Sequence, residues 1–298
     1  MLNRILVPLD GSELAERALV YAEFFARPTS ARVLLVRATI SHTLAGVDGQ
    51  ERLVGAIHEA EKYLAQVKSD LTERGLEVET VVPYGPAAEC IDDRARLHPT
   101  DLIVMSTRGR TGPARLLFGS VAESLVSHTS VPVMLERAWH PIVRSPRLGR
   151  GRSLTLLQDG SPFAEAGVDA AVRLALNLGV RLDLVRMIVN PSDVNVTDAY
   201  LETIRDSVAA THPAVQIATT VRFGDNAPDE IVHLLAETRP VMVVMATHGR
   251  TGLRRSFVGS VAGHVLRYAT APLVLVRPTL PEEQSEPAPS LEAALLVN

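Results

Sequence analysis

Cysteine is almost missing from this sequence: Cys90 is the one thiol among 298 residues. That excludes a disulfide framework within the chain and any cysteine-based metal site. Cys90 sits beside Ile91 on a predicted helix and is expected to be a packed thiol. Lysine is nearly as scarce. Lys62 and Lys68 share one predicted helix, and every other basic residue is arginine. Neither lysine adjoins a glycine loop, so a Walker-type GxxxxGK[ST] motif is excluded. No apolar run approaches the roughly 18 residues that would span a bilayer. The opening MLNRILVPLDG has no signal-peptide h-region and leads straight into a strand. There is no long basic run, and the net charge is −4, which argues against nucleic acid as the main partner. The expectation is a cytoplasmic protein with neither membrane nor nucleic acid as a partner.

What is present is a globular composition, 46% hydrophobic and 21% charged, in a chain long enough for two domains. The organising feature is an internal duplication. Asp101 to Glu136 reads as strand, glycine loop, helix, strand, and Val241 to Val276 writes it again. Gly109 matches Gly249, Gly119 matches Gly259, Ser120 matches Ser260 and Pro132 matches Pro272, each pair 140 positions apart. A shared offset marks a repeat and sets the architecture.

Before each repeat, apolar strands alternate with helical periodicity. Strands are predicted at 2–9, 31–38, 77–82, 102–106 and 131–135, with a loop at 41–50. Ser12 and Ser161-Pro162 start helices. The second half repeats the order, with a shorter helix at 196–211. The reading is α/β: two tandem doubly wound domains, each a five-stranded parallel sheet with helices on both faces. Residues 139–151, rich in proline, glycine and arginine, separate domain 1 (1–138) from domain 2 (152–278) as a linker. Trp139 is expected to pack between the domains. Residues 279–298 form an acidic, proline-rich tail.

In such sheets ligands bind beyond the carboxyl ends of the strands, where the strand order reverses. Asp10 and the loop from Gly109 to Ser120 should meet there, as should Asp159 and the loop from Gly249 to Ser260. Glycines let the backbone present bare N–H groups. A helix starting at Gly119-Ser120 aims its positive end at the same space. Phosphate is the natural occupant, with Arg108, Arg110 and Arg115 adding charge and Asp10 suited to a ribose hydroxyl or magnesium. The plainer alternative also stands: the serines are helix caps and the arginines are solvated.

Both halves resemble universal stress protein domains. The nucleotide-binding branch of that family carries G-x2-G-x9-G-[ST] after the fourth strand. Ser106 to Ser120 (STRG, RTGPARLLF, GS) and Ala246 to Ser260 (ATHG, RTGLRRSFV, GS) follow it. The departure is at the first glycine, which is Ser106 in one half and Ala246 in the other. The resemblance implies adenine against the backbone near Ala38 or Met187, and ribose and magnesium at Asp10 or Asp159. It implies phosphates at Gly109, Gly119, Ser120 and Val121, or at Gly249, Gly259, Ser260 and Val261. Arg108 and His248 would flank the phosphates, with His248 itself expected as a surface side chain. Family members pair through their last strands, so Pro132 to Glu136 is expected beside Leu273 to Arg277 as an internal pseudo-dimer, with further homodimerisation open.

The reading that follows is a stress-response regulatory protein that binds ATP, with magnesium as the companion ion, and hydrolyses it slowly or not at all. Two other classes remain. One is a scaffold of the same fold with vestigial sites, favoured by Ser106 and Ala246. The other is an enzyme such as an adenylate-forming ligase or flavin-linked electron carrier, of which Val7 to Ser12 is a faint echo.

Overall fold

A computed structural model describes residues 1–39, 47–107, 119–137, 152–248 and 258–278, excepting the side chains of 47–50. Trp139, the linker and the tail therefore lie outside the described residues. The first half runs β1 (Arg4–Pro8), α1 (Glu13–Thr29), β2 (Arg32–Val36), α2 (Val47–Glu73), β3 (Val78–Val81), α3 (Ala87–Leu97), β4 (Leu102–Ser106), α4 (Ser120–His128) and β5 (Val133–Glu136). The second runs β6 (Ser153–Gln158), α5 (Pro162–Glu165), α6 (Gly167–Leu178), β7 (Arg181–Ile188), α7 (Val194–Thr211), β8 (Ile217–Phe223), α8 (Ala227–Thr238), β9 (Met242–Ala246), α9 (Ser260–Tyr268) and β10 (Leu273–Val276).

All ten strands join one sheet, in the order β3-β2-β1-β4-β5-β10-β9-β6-β7-β8. Within each half every pairing is parallel. The central strands are buried on both faces. Ile5, Leu6 and Val7 are all fully buried, which is why β1 shows no apolar–polar alternation. One face of the sheet packs against α1, α2, α6 and α7, and the other against α3, α4, α8 and α9.

The halves meet where β5 pairs antiparallel with β10, with Leu273 opposite Leu135, Val274 opposite Met134 and Leu275 opposite Val133. This covers two hydrophobic edges that would otherwise be open to other chains. Because the pairing is antiparallel, the carboxyl ends of the two parallel sets lie at opposite edges of the sheet. A reciprocal pair of arginines spans the seam. Arg137 donates to the carbonyls of Ala271 (2.7 Å) and Leu266 (3.4 Å), and Arg277 donates to that of His128 (3.2 Å). Each cation thus meets carbonyls at or just beyond the C-terminal end of the other half's last helix, where the partial charge is negative.

Two local readings change, and the packed thiol expected at Cys90 is found. The loop expected at 41–50 gives way to helix at Val47, since α2 extends through Gly49 despite that residue's low propensity. The helix expected from Ser161 is broken at Ala166. There Gly167 lies so near β6 that an added Cβ would come within 3.1 Å of Leu156 Cδ1. Cys90 is buried, and burial pushes its thiol pKa up. No described helix is long and apolar enough to cross a membrane.

Candidate functional site

In each half the chain leaves β1 or β6 in one direction and β4 or β9 in the other, so the strand order reverses between β1 and β4 and between β6 and β9. The turn after β1 is closed by its own side chains. Asp10 Oδ1 accepts from the Ser12 amide (2.9 Å) and hydroxyl (2.6 Å), and Ser12 Oγ caps α1 by accepting from the Ala15 N–H (3.2 Å). The second half repeats this geometry at Asp159, Ser161 and Ala164, with distances of 2.9, 2.6 and 3.2 Å. Each aspartate therefore orders a turn, whatever else it does. Among the described residues no three His, Cys, Asp or Glu side chains gather as a metal set. Magnesium would thus have to arrive with ligand phosphates and meet a single carboxylate, a usual arrangement for that ion.

Gly119 and Gly259 do not offer bare amides. The Gly119 N–H donates to the Thr107 carbonyl (2.6 Å) and the Gly259 N–H to the Thr247 carbonyl (2.8 Å). These bonds tie the start of α4 and α9 to the ends of β4 and β9. A Cβ on Gly259 would stand 3.2 Å from the Thr247 oxygen, a tight contact that glycine avoids. The amides that remain are the next three. The first bond of each helical ladder comes from Glu123 to Gly119 and from Gly263 to Gly259, and neither helix has a side-chain cap. The N–H groups of Ser120, Val121 and Ala122, and of Ser260, Val261 and Ala262, thus precede the ladder at a positive helix end.

The other predicted residues divide. Ala38 follows β2, while Met187 lies inside the longer β7 and packs on the core face shared with α8 and α9. Ser106 and Ala246 end β4 and β9 and are buried, and among the described residues Ser106 Oγ has no hydrogen-bond partner. His248 is buried rather than on the surface, with Nδ1 3.1 Å from Thr247 Oγ1. The strand end carries it inward, which a reading of it as a lone loop histidine missed. Arg108, Gly109 and Gly249 lie outside the described residues, as do Arg110 and Arg115.

A polar cluster that the sequence reading overlooked lies under the first site. Glu136 is the register partner of Ser106 and pairs with Arg17 of α1 at 2.5 Å. Both side chains are largely buried, and among the described residues Glu136 Oε2 has no hydrogen-bond partner. Burial pushes the Glu136 pKa up to about 7, against the opposing pull of Arg17 and Arg137. Burial likewise lowers Arg137 to about 10 and raises Tyr21 to about 12. The second half is apolar at the same places. Val276 is the register partner of Ala246, and Ala166 stands where Arg17 does. The signal was present, because the early part of each half aligns at an offset of 149 rather than 140.

Comparison with known proteins agrees with this arrangement. The profile of the Universal stress protein family matches residues 1–137 and 154–277. A universal stress protein of Mycolicibacterium smegmatis is 27% identical over 241 residues, covering 77% of this chain and 78% of its own. One from Methanocaldococcus jannaschii is 31% identical over 137 residues, covering 45% of this chain and 81% of its own. Among solved structures, a universal stress protein from Archaeoglobus fulgidus superposes with a TM-score of 0.75 at 19% identity. That match covers 94% of this chain and all of the other, a likeness of fold.

Proposed function

The chain belongs to the universal stress protein family as a tandem two-domain member, and we propose that it is a stress-response regulatory protein that binds ATP in one or both halves. The observation that carries this reading is the repeated helix start. Three amides precede each ladder of α4 and α9, uncapped by any side chain, at the point where the strand order reverses. Ser120 and Val121, or Ser260 and Val261, would hold phosphate oxygens. Gly119 and Gly259 set the helix start rather than donate to the ligand. Arg108, Gly109 and Gly249 complete the loops on the sequence pattern. Asp10 and Asp159 would take the ribose or a magnesium ion brought by the phosphates. Ala38 and Met187 would lie at the nucleoside end, and Ser106, Ala246 and His248 would form the floor.

The protein would work in the cytoplasm, with units at 1–138 and 152–278, a linker at 139–151 and a tail at 279–298. The reading assigns no base to activate water, so hydrolysis is slow or absent. A scaffold without ligand is the second reading. What favours it is that both glycine amides are engaged by the protein itself and that Ser106 and Ala246 stand where the family motif has glycine.

Isothermal titration with ATP and magnesium separates the two. Saturable heat with a stoichiometry of one or two per chain, together with a raised melting temperature, supports nucleotide binding. No heat and no thermal shift leave the scaffold.

A further inference from the structure

Arg37, just beyond β2, and Arg186, in β7, each lie between a glycine and a tyrosine. A Cβ built on Gly11 would stand 3.4 Å from the Arg37 guanidinium, whose Cζ is 4.9 Å from the centre of the Tyr63 ring. In the second half a Cβ on Gly160 would come within 2.5 Å of Arg186 Cζ, which is 5.2 Å from the Tyr200 ring centre. Gly11 and Gly160 share a φ of +83°, so glycine serves the turn in both halves, and at Gly160 it also leaves room for the arginine. The tyrosines are themselves anchored. Tyr63 donates to Glu16 Oε1 (2.8 Å) and Tyr200 to Gln158 Oε1 (3.1 Å). Burial first, and then Glu16 or Glu165, pushes both phenol pKa values up, so both stay protonated.

An arginine–tyrosine stack can be packing alone. Two observations point further. The Arg37 side chain is 12% exposed, and among the described residues its side-chain hydrogen bond goes to Glu59 (3.0 Å), itself 73% exposed. A guanidinium has five donors, so others remain open to a ligand that reaches this face. The second observation is position. Arg37 packs on the residue after Asp10, at the carboxyl edge of β2, while α4 starts beyond β4 on the other side of β1. Two strand spacings, about 10 Å, separate these ends. A ligand with its phosphates on α4 and its length across the Asp10 turn brings its far end to Arg37. The same relation holds for α9, Asp159 and Arg186.

We propose that Arg37 and Arg186 are specificity-determining residues of the two sites, each donating to acceptor atoms at the nucleoside end of the bound nucleotide. A guanidinium only donates, so it favours a base or ribose edge that accepts and disfavours one that donates. This assignment rests on the nucleotide reading above.

The test is titration of the full chain with ATP and with inorganic tripolyphosphate, for wild type, Arg37→Gln, Arg186→Gln and the double variant. Each single change should weaken ATP at one site by about tenfold or more, equivalent to roughly 1.4 kcal/mol, and the double change should weaken both. Tripolyphosphate affinity should stay within about twofold of wild type. Tyr63→Leu with Tyr200→Leu keeps both charges but removes one wall of each sandwich, and should give a smaller loss in the same direction. Unchanged ATP affinity in the double variant overturns the assignment and leaves nucleotide binding standing. Equal loss for tripolyphosphate also overturns it, since the guanidinium would then act on phosphate. Absence of ATP binding in the wild type overturns both.

Discussion

Arg17→Ala alone should destabilise the protein by about 3–5 kcal/mol near pH 8, whereas Arg17→Ala with Glu136→Val should be neutral or stabilising by about 1–4 kcal/mol. The single change leaves a buried carboxylate without the guanidinium it pairs with. The double change copies what the second half already does with Ala166 and Val276. The cost of the single change should also shrink toward pH 5, because Glu136 can take a proton instead. Its folded pKa is raised from 4.5 to about 7. A carboxyl group raised in this way contributes stability that is complete below pH 4.5 and lost as pH rises through about 7. Wild-type stability should therefore fall by up to about 3 kcal/mol across that window, while the double variant stays flat. Urea unfolding at several pH values reads both effects. A double variant as unstable as the single one would show that the pair contributes net stability.

The second large effect is expected at the helix starts. Gly259→Val should weaken ATP at the second site by about a hundredfold or more, a difference of roughly 2.7 kcal/mol, and Gly119→Val should do so at the first. At Gly259 even a Cβ stands 3.2 Å from the Thr247 carbonyl, and a branched side chain forces the start of α9 away. That displaces the amides of Ser260, Val261 and Ala262 together. The fold should survive, because Ala262, Val265 and Leu266 still hold α9 to the sheet. The cost in stability should be about 1–3 kcal/mol, as for other overpacked positions. Stoichiometry in the titration is the readout: each variant should lose the binding of its own half and leave that of the other half as in wild type. Full stoichiometry in Gly259→Val would place the second site elsewhere.

Some of this was legible in the sequence for a physical reason. Buried parallel strands leave continuous apolar runs, helices leave a 3.6-residue period, and serine caps mark the helix starts at Ser12 and Ser161. The starts at Gly119-Ser120 and Gly259-Ser260, which no side chain caps, also fell where the structure has them. The pairing of β5 with β10 could be anticipated from the family resemblance, whose members pair through their last strands, and not from the residues alone. What could not be read was direction and company. Nothing local says that the Gly119 amide turns back to Thr107, or that His248 is buried. The stacks of Arg37 on Tyr63 and Arg186 on Tyr200 join residues far apart in sequence, in a part of each half aligned at a different offset from the glycine loops. The Arg17–Glu136 pair is far more distant along the chain, 119 positions apart, and it has no echo in the second half to draw the eye.

The account depends on three uncapped amides at each of two helix starts, and amide NMR of the isotope-labelled full chain observes them directly. On addition of ATP, the N–H signals of Ser120, Val121 and Ala122, of Ser260, Val261 and Ala262, or of both sets should move saturably, while those of Gly119 and Gly259, bonded to Thr107 and Thr247, should move less. Saturable shifts elsewhere with all six of these signals unmoved would contradict it.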